Sequence, residues 1–274
     1  YKKNDEALQF ILKHIQIMCG NDTPVGDYMT KWIAQMIQYP AIKTISPTFI
    51  GEQGTGKTSV VKIIECLIGK AKCMETTDPG RDVWGDFNSL MLNAFLVNLN
   101  EISKKDTMEA EGRMKALQTD GKISINKKGL DQMMVNSYHR FLITTNSVEG
   151  PVKTSKDDRR NVIVRCSDEL KGNTDYFEKL YAYLTDENVI RTLYDHLMAI
   201  PDMDKFHLLP LPKTEYQNEL KKLSQPIIDQ FMEYFTESRD DKEVELLGSE
   251  LFKMFRVWCD FNNINYDVTN QKFG

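Results

Sequence analysis

The stretch Gly51-Glu52-Gln53-Gly54-Thr55-Gly56-Lys57-Thr58 satisfies G-x-x-x-x-G-K-[ST] in full. Residues of these types at this spacing are expected to bind the phosphates of a nucleotide, the plain alternative being a mere glycine turn. The glycines let backbone N–H groups turn inward around phosphate oxygens. Lys57 then reaches the β- and γ-phosphates, and the Thr58 hydroxyl holds Mg²⁺. The segment that follows, SVVKIIECLIG, reads as a helix whose positive dipole end points at the same phosphates. Gly51, Gln53, Gly54, Thr55, Gly56, Lys57, Thr58 and Ser59 form the expected nucleotide-binding set.

Splitting a phosphoanhydride needs two more parts: an acidic group near the metal and a base that orients the attacking water. Residues 94–103, AFLVNLNEIS, offer both at the end of an apolar run. Glu101 is the expected base, and Asn100 stands where an aspartate often supports the Mg²⁺ shell. An amide there accepts a hydrogen bond from a metal-bound water but brings no charge. The plain alternative is a strand running out into a polar loop. A second apolar run, FLITTN, ends in Asn146, which is placed to contact the γ-phosphate or the water. In DDRRNVIVRC, Arg159 and Arg160 precede another apolar run. An arginine offered to a neighbouring subunit's γ-phosphate stabilises the transition state. The alternative is a surface pair salt-bridged to Asp157 and Asp158. Residues 113–129 carry Arg113, Lys115, Lys122, Lys127 and Lys128 against Asp120, five minus one or +4. KISIN alternates like one arm of a hairpin, after Asp120-Gly121. Lysines on a hairpin tip suit a nucleic-acid backbone, where point charges act without reading sequence. A solvated loop is the competing reading.

These residues need a scaffold. Apolar residues at Ala7, Leu8, Ile11, Leu12, Ile15 and Met18 have helical spacing. Thr23-Pro24 reads as an N-cap with proline in the first turn, opening a second helix through Tyr28, Met29, Trp32, Ile33 and Met36 to Pro40. From 44 to 166, four β-like runs (TISPTFI, AFLVNL, RFLITT, NVIVRC) alternate with other segments, which implies an α/β unit with a largely parallel sheet. Beyond about 170 the pattern is helical, with a Thr214/Gln217 capping box, a break at Pro226 and an apolar stripe Leu247, Leu251, Phe252, Phe255, Trp258. The expected divisions are a helical lead-in over 1–43, a core over 44–205 and a C-terminal helical region over 206–274.

The bulk numbers narrow the classes. The chain has 274 residues, 41% apolar and 27% charged, with a formal net charge of −5. That argues against a protein coated in nucleic acid, although a narrow basic channel remains compatible with it. Five cysteines form neither a CxxC pair nor a Cys/His cluster, so zinc is not expected, and an odd count implies reduced thiols in an intracellular setting. No apolar stretch approaches the roughly 18–20 residues of a membrane span, so no membrane partner is expected. The chain starts at Tyr1 and ends in NQKFG, which reads as a piece of a longer protein.

The order of phosphate loop, acidic strand end, basic hairpin, strand ending in Asn and paired Arg, all within Gly51–Arg160, resembles the superfamily 3 helicases. The nearest likeness is to the primase–helicases of poxviruses and giant viruses. NDTPVGDYMTKWIAQMIQYP, SKDDRRNVIVRCSDELKGNTDYFEKL and PKTEYQNELKKLSQPIIDQF extend the resemblance over most of the chain. It implies an AAA+-like fold, ATP and Mg²⁺ as cofactors, a homo-hexameric ring and movement along single-stranded DNA at a viral replication site. Primase or other replication proteins are the implied partners. Position by position, Lys57 and Thr58 match the phosphate-loop residues, Glu101 the catalytic acid and Asn146 the sensor. Arg160 best matches the arginine finger, with Arg159 next, and Lys128 matches the lysine at the hairpin tip. Gly129 stands where several relatives carry histidine, and Asn100 departs from the usual aspartate. The region after 213 resembles the start of a winged-helix-like domain. Two other readings stand beside the helicase: a packaging or loading ATPase, and a nucleotide-gated assembly scaffold with weak hydrolysis.

Overall fold

The computed structural model describes residues 1–101, 113–146, 161–224, 226–237, 246–266 and 273, with backbone only for 220–224. It divides into two compact units, Tyr1–Asn218 and Glu219–Gly274. The first opens with helices α1 (Asp5–Met18) and α2 (Thr23–Gln38). The Asn4 side chain caps α1 by accepting from the Ala7 N–H at 3.0 Å. The cap of α2 is Asp22, not the expected Thr23. Its carboxylate accepts from the Val25 N–H at 3.2 Å, leaving Thr23 and Pro24 in the first turn.

Five strands build one parallel sheet: β1 (Ser46–Ile50), β2 (Cys73–Thr76), β3 (Leu96–Asn100), β6 (Arg140–Thr145) and β7 (Asn161–Arg165), in spatial order β2-β3-β6-β1-β7. Helix α3 (Lys57–Ile68) crosses from β1 to β2. A single helical turn, α4 (Pro79–Asp82), and helical residues 113–119 (α5) lie on the way to an antiparallel hairpin. The hairpin pairs β4 (Lys122–Ile125) with β5 (Met133–Asn136), Lys122 opposite Asn136 and Ile125 opposite Met133. Its turn therefore holds Lys127 and Lys128, while Asp120-Gly121 sits at its base.

Side-chain alternation gives the sheet two covered faces. Leu96, Leu142, Val162 and Val164 pack with α1, α2, α3, α6 (Thr174–Thr185) and α7 (Glu187–Met198). Val97, Leu99, Phe141 and Ile143 pack with Ile123 and Ile125 of the hairpin and with Val83 and Met91. Arg140, 1% exposed, turns Nη2 onto the carbonyls of Tyr39 (3.3 Å) and Pro40 (3.2 Å), just beyond the C-terminal end of α2, and burial lowers its pKa to about 10. After β7 the chain runs through α6 and α7 to α8 (Glu215–Ser224). The Thr214 hydroxyl caps the start of α8 by accepting from the Gln217 N–H at 3.0 Å. The Gln217 amide departs from the expected reciprocal bond, donating instead to Asn161 O at 3.4 Å. In the second unit α9 (Ile227–Glu237) and α10 (Gly248–Phe261) are packed through Phe231, Phe255 and Cys259. Leu247 lies outside that core, 69% exposed, because it precedes α10. No helix among the described residues is long and apolar enough to cross a membrane.

The lead-in helix α1 is joined to α3 and α6 by a buried polar relay. His14 of α1, fully buried, contacts the Ser59 hydroxyl of α3 through Nε2 and the Tyr176 hydroxyl of α6 through Nδ1 at 3.1 Å. Ser59 in turn donates to Gly56 O, so its oxygen accepts from Nε2–H and the ring is the neutral Nε2–H tautomer. Burial lowers the His14 pKa from 6.5 to about 4. Between those values the unfolded chain binds the proton more readily than the folded one. The stabilising contribution is therefore complete above about pH 6.5 and drains as pH falls toward 4. The stability of the wild type should fall from pH 7 to pH 4 by roughly 3 kcal/mol more than that of His14→Gln. Urea denaturation across that range checks this, and parallel pH profiles would refute it.

Candidate functional site

The sheet order places the C-terminal ends of β3, β6 and β1 side by side, and the candidate residues converge there. Between β1 and α3 the loop 51–56 turns through left-handed backbone at Gly54 (φ +85°) and Gly56 (φ +101°). At Gly56 a Cβ would also lie 2.7 Å from the Phe177 ring, so both conformation and space demand glycine. The result is a backbone cradle closed at one end by the first turn of α3. Its donors and shape fit the phosphates of a nucleotide.

Lys57, 7% exposed, lies beneath this cradle. Its ammonium donates to Gly51 O (2.6 Å), Glu52 O (2.9 Å) and Asn146 Oδ1 (2.6 Å). Burial pulls its pKa below the ordinary lysine value, while the Glu101 and Asp168 charges act in the opposite sense. Asn146 follows β6 directly, and its N–H donates to Glu101 Oε2 at 3.1 Å. Glu101 follows β3 with φ +51°, its own N–H fixed to Thr144 O at 2.8 Å. Lys57, Asn146 and Glu101 therefore form one hydrogen-bonded chain across the ends of three strands. A left-handed glutamate at a strand end is uncommon, and here it aims the carboxylate along the sheet edge toward Asn146.

These residues border a cleft of about 460 Å³ together with Gln53, Gly54, Thr58 and Asn100. The Thr58 side chain is exposed toward solvent, whereas Thr55 is buried and donates to Glu52 O at 2.9 Å. Ser59 contributes to the cleft wall, but its hydroxyl is turned inward to His14 and Gly56 O. Glu52 pairs with Lys171, which holds the Glu52 carboxyl below its usual range and ties the loop to the segment before α6. Lys127 and Lys128 sit at the hairpin turn, away from this cluster. Lys122 lies at the far end of β4, about 10 Å along the strand from Ile125 at its usual rise. Arg159 and Arg160 lie outside the described residues.

Three site features escaped the sequence reading. Phe177 and Tyr181 of α6, one turn apart, form an aromatic wall of the cleft. Their i, i+4 spacing was visible, but it is also the spacing of core residues. Glu75, on β2, contacts Asn100, its Oε1 accepting from Asn100 Nδ2 at 3.2 Å. Asn88 anchors the hairpin, donating to Ser124 O and accepting from the Asn126 N–H, both at 2.9 Å.

Residues 49–160 match a family of unknown function (DUF5906). A DNA primase-polymerase of Nitratiruptor phage NrS-1 is 30% identical over 143 residues, which is 51% of this chain and 20% of that protein. The chain thus spans about a fifth of the length of that relative. An apo structure of the NrS-1 C-terminal region superposes with a TM-score of 0.66 at 19% identity, covering 89% of this chain and 64% of the other. Its A form gives 0.67 at 20% identity, covering 87% and 60%. The chain is an α/β protein that shares its fold with the C-terminal region of the NrS-1 protein and is related in sequence to a phage replication protein.

Proposed function

We propose that this chain is the ATPase motor region of a viral DNA-replication protein. In this reading it hydrolyses ATP with Mg²⁺ to move along single-stranded DNA in the manner of a superfamily 3 helicase, with an AAA+-like core. The observation that carries this reading is the chain Lys57–Asn146–Glu101 at the mouth of a glycine cradle. Relatedness to a phage primase-polymerase supports a replication role.

The chemistry follows from the residues. Lys57 exchanges its carbonyl partners for phosphate oxygens, which satisfy an ammonium better because they are charged. Thr58, Asn100 and Glu101 would hold the nucleotide-bound Mg²⁺, which when bound would neutralise charge on the phosphates. Glu101 takes the proton of the attacking water. Asn146, hydrogen-bonded to both Lys57 and Glu101, links occupancy of the phosphate site to the orientation of the base. Phe177 and Tyr181 give the nucleobase an apolar surface. Arg160, or Arg159, serves a neighbouring subunit in a homo-hexamer. Lys127 and Lys128, with Lys122 behind them, hold the DNA backbone. Primase and other replication proteins are the natural partners of such a motor.

Hydrolysis measured with and without single-stranded DNA, over a range of protein concentrations, tests the reading. Stimulation by DNA and a specific activity that climbs with concentration are expected, and a rate flat in both would refute a ring motor. Tight ATP binding with negligible turnover would instead favour the scaffold reading, and hydrolysis indifferent to DNA the packaging or loading ATPase. Lys57→Ala should abolish nucleotide binding. Glu101→Gln should keep binding and cut hydrolysis on the order of 10²–10⁴-fold. Turnover that survives Glu101→Gln would remove Glu101 as the base. Lys128→Ala should weaken binding to all single-stranded sequences alike and reduce the salt slope of affinity by about 1, read by fluorescence anisotropy across salt concentrations.

A further inference from the structure

Behind Asn100 lies a closed ring of four polar side chains. Glu75, on the edge strand β2, accepts from Asn98 Nδ2 at 3.1 Å through Oε2 and from Asn100 Nδ2 at 3.2 Å through Oε1. On the other side, the Thr144 hydroxyl lies 3.2 Å from Asn98 Oδ1 and 3.0 Å from Asn100 Oδ1. The register explains the grouping. Glu75 pairs with Asn98 and Asn100 with Thr144, and all four project from the sheet face that carries α3.

The ring fixes its own orientation. An ionised carboxylate only accepts, so both asparagines must turn their NH₂ groups to Glu75 and their oxygens to Thr144. Thr144 has one hydrogen for two amide oxygens. The hydroxyl lies between them, nearer Asn100 Oδ1, and an amide oxygen has two lone pairs. Asn100 Oδ1, at the cleft, keeps a lone pair that can accept from a water on the cleft side, and the carboxylate behind its NH₂ group polarises the amide in the favourable sense.

We propose that Glu75 supplies the negative charge that Asn100 itself does not bring, acting through Asn100 as a positioning residue for the metal side of the site. The inference rests on the Mg²⁺-nucleotide reading above. The ring carries one negative charge, as an aspartate at position 100 would with a neutral partner at 75. An aspartate at 100 beside Glu75 would set two carboxylates about as close as the present 3.2 Å contact, where like charges oppose each other. Asparagine at 100 and glutamate at 75 are therefore one solution in which the charge has moved a strand outward.

The test compares wild type, Glu75→Gln, Asn100→Asp and the double variant by two measurements. The first is the Mg²⁺ concentration that half-saturates binding of a fluorescent ATP analogue. The second is the melting temperature without nucleotide. Glu75→Gln should raise the half-saturating Mg²⁺ about tenfold and leave metal-free nucleotide affinity unchanged, which a merely structural defect would not do. Asn100→Asp should lower the melting temperature by about 2–4 °C, and the double variant should recover both the temperature and the Mg²⁺ response. An unchanged Mg²⁺ response in Glu75→Gln overturns the proposal while the nucleotide reading stands. So does an Asn100→Asp variant that is as stable as wild type and binds Mg²⁺ more tightly. A wild type that binds no nucleotide overturns both readings.

Discussion

A lysine ammonium has three protons, and in this protein each is held by an oxygen fixed in a different place. Lys57 is nearly buried and receives two carbonyls of the loop after β1 and the side chain of Asn146 after β6. Its counter-charges act at a distance, and each ammonium hydrogen bond goes to a neutral oxygen. A buried cation so compensated is stable only while each proton has an oxygen to meet, these carbonyls or a phosphate. The loop conformation, the length of β1 and the stagger of β6 must all agree for that to happen. Parallel pairing of Ile50 with Thr145 supplies the agreement, and pairing of β3 with β6 then brings Glu101 to the Asn146 N–H.

The two faces of the sheet divide the work. The face under α1–α3, α6 and α7 mixes apolar Leu96 and Leu142 with buried polar Arg140 and Asn98, and is polar at the strand ends, at Asn100 and Thr144. Polar side chains that deep are tolerated because each finds a partner, with Glu75 reaching in from the edge strand. The opposite face is apolar along β3 and β6 and carries the hairpin.

What the sequence discloses is what is encoded locally. The glycine cradle, Lys57 and Thr58 lie in one contiguous stretch whose backbone needs are set by its own residues, and four of the five strands are apolar runs. Glu101 and Asn146 were legible because both end such runs. β2 was not, since Cys73–Thr76 is four residues with a charged member and owes its strand state to pairing with β3. Glu75 was hidden with it, because the amides it serves are 23 and 25 residues away. The cap of α2 was misplaced by one residue because Asp22 and Thr23 are both good caps, and only the geometry of Val25 N–H decides between them. For Gln217 the tertiary partner Asn161 O outcompeted the local one. Phe177 and Tyr181 look like any helical core pair until Gly56 is found against the Phe177 ring.

The hairpin is no appendage. Ile123 and Ile125 of β4 share one apolar cluster with Val97 and Leu99 of β3, the strand that ends in Asn100 and leads to Glu101. Asn88, buried, pins the end of β4 with a donor and an acceptor, both at 2.9 Å. Packed interiors transmit displacement because side chains interdigitate with few voids. A shift of β3 along the sheet must therefore either move β4 or open a cavity, and cavities cost roughly 24 cal/mol per Å³. The lysines at the turn stay in register with the strand ends because the same side chains that bury one face of the sheet form the root of the hairpin.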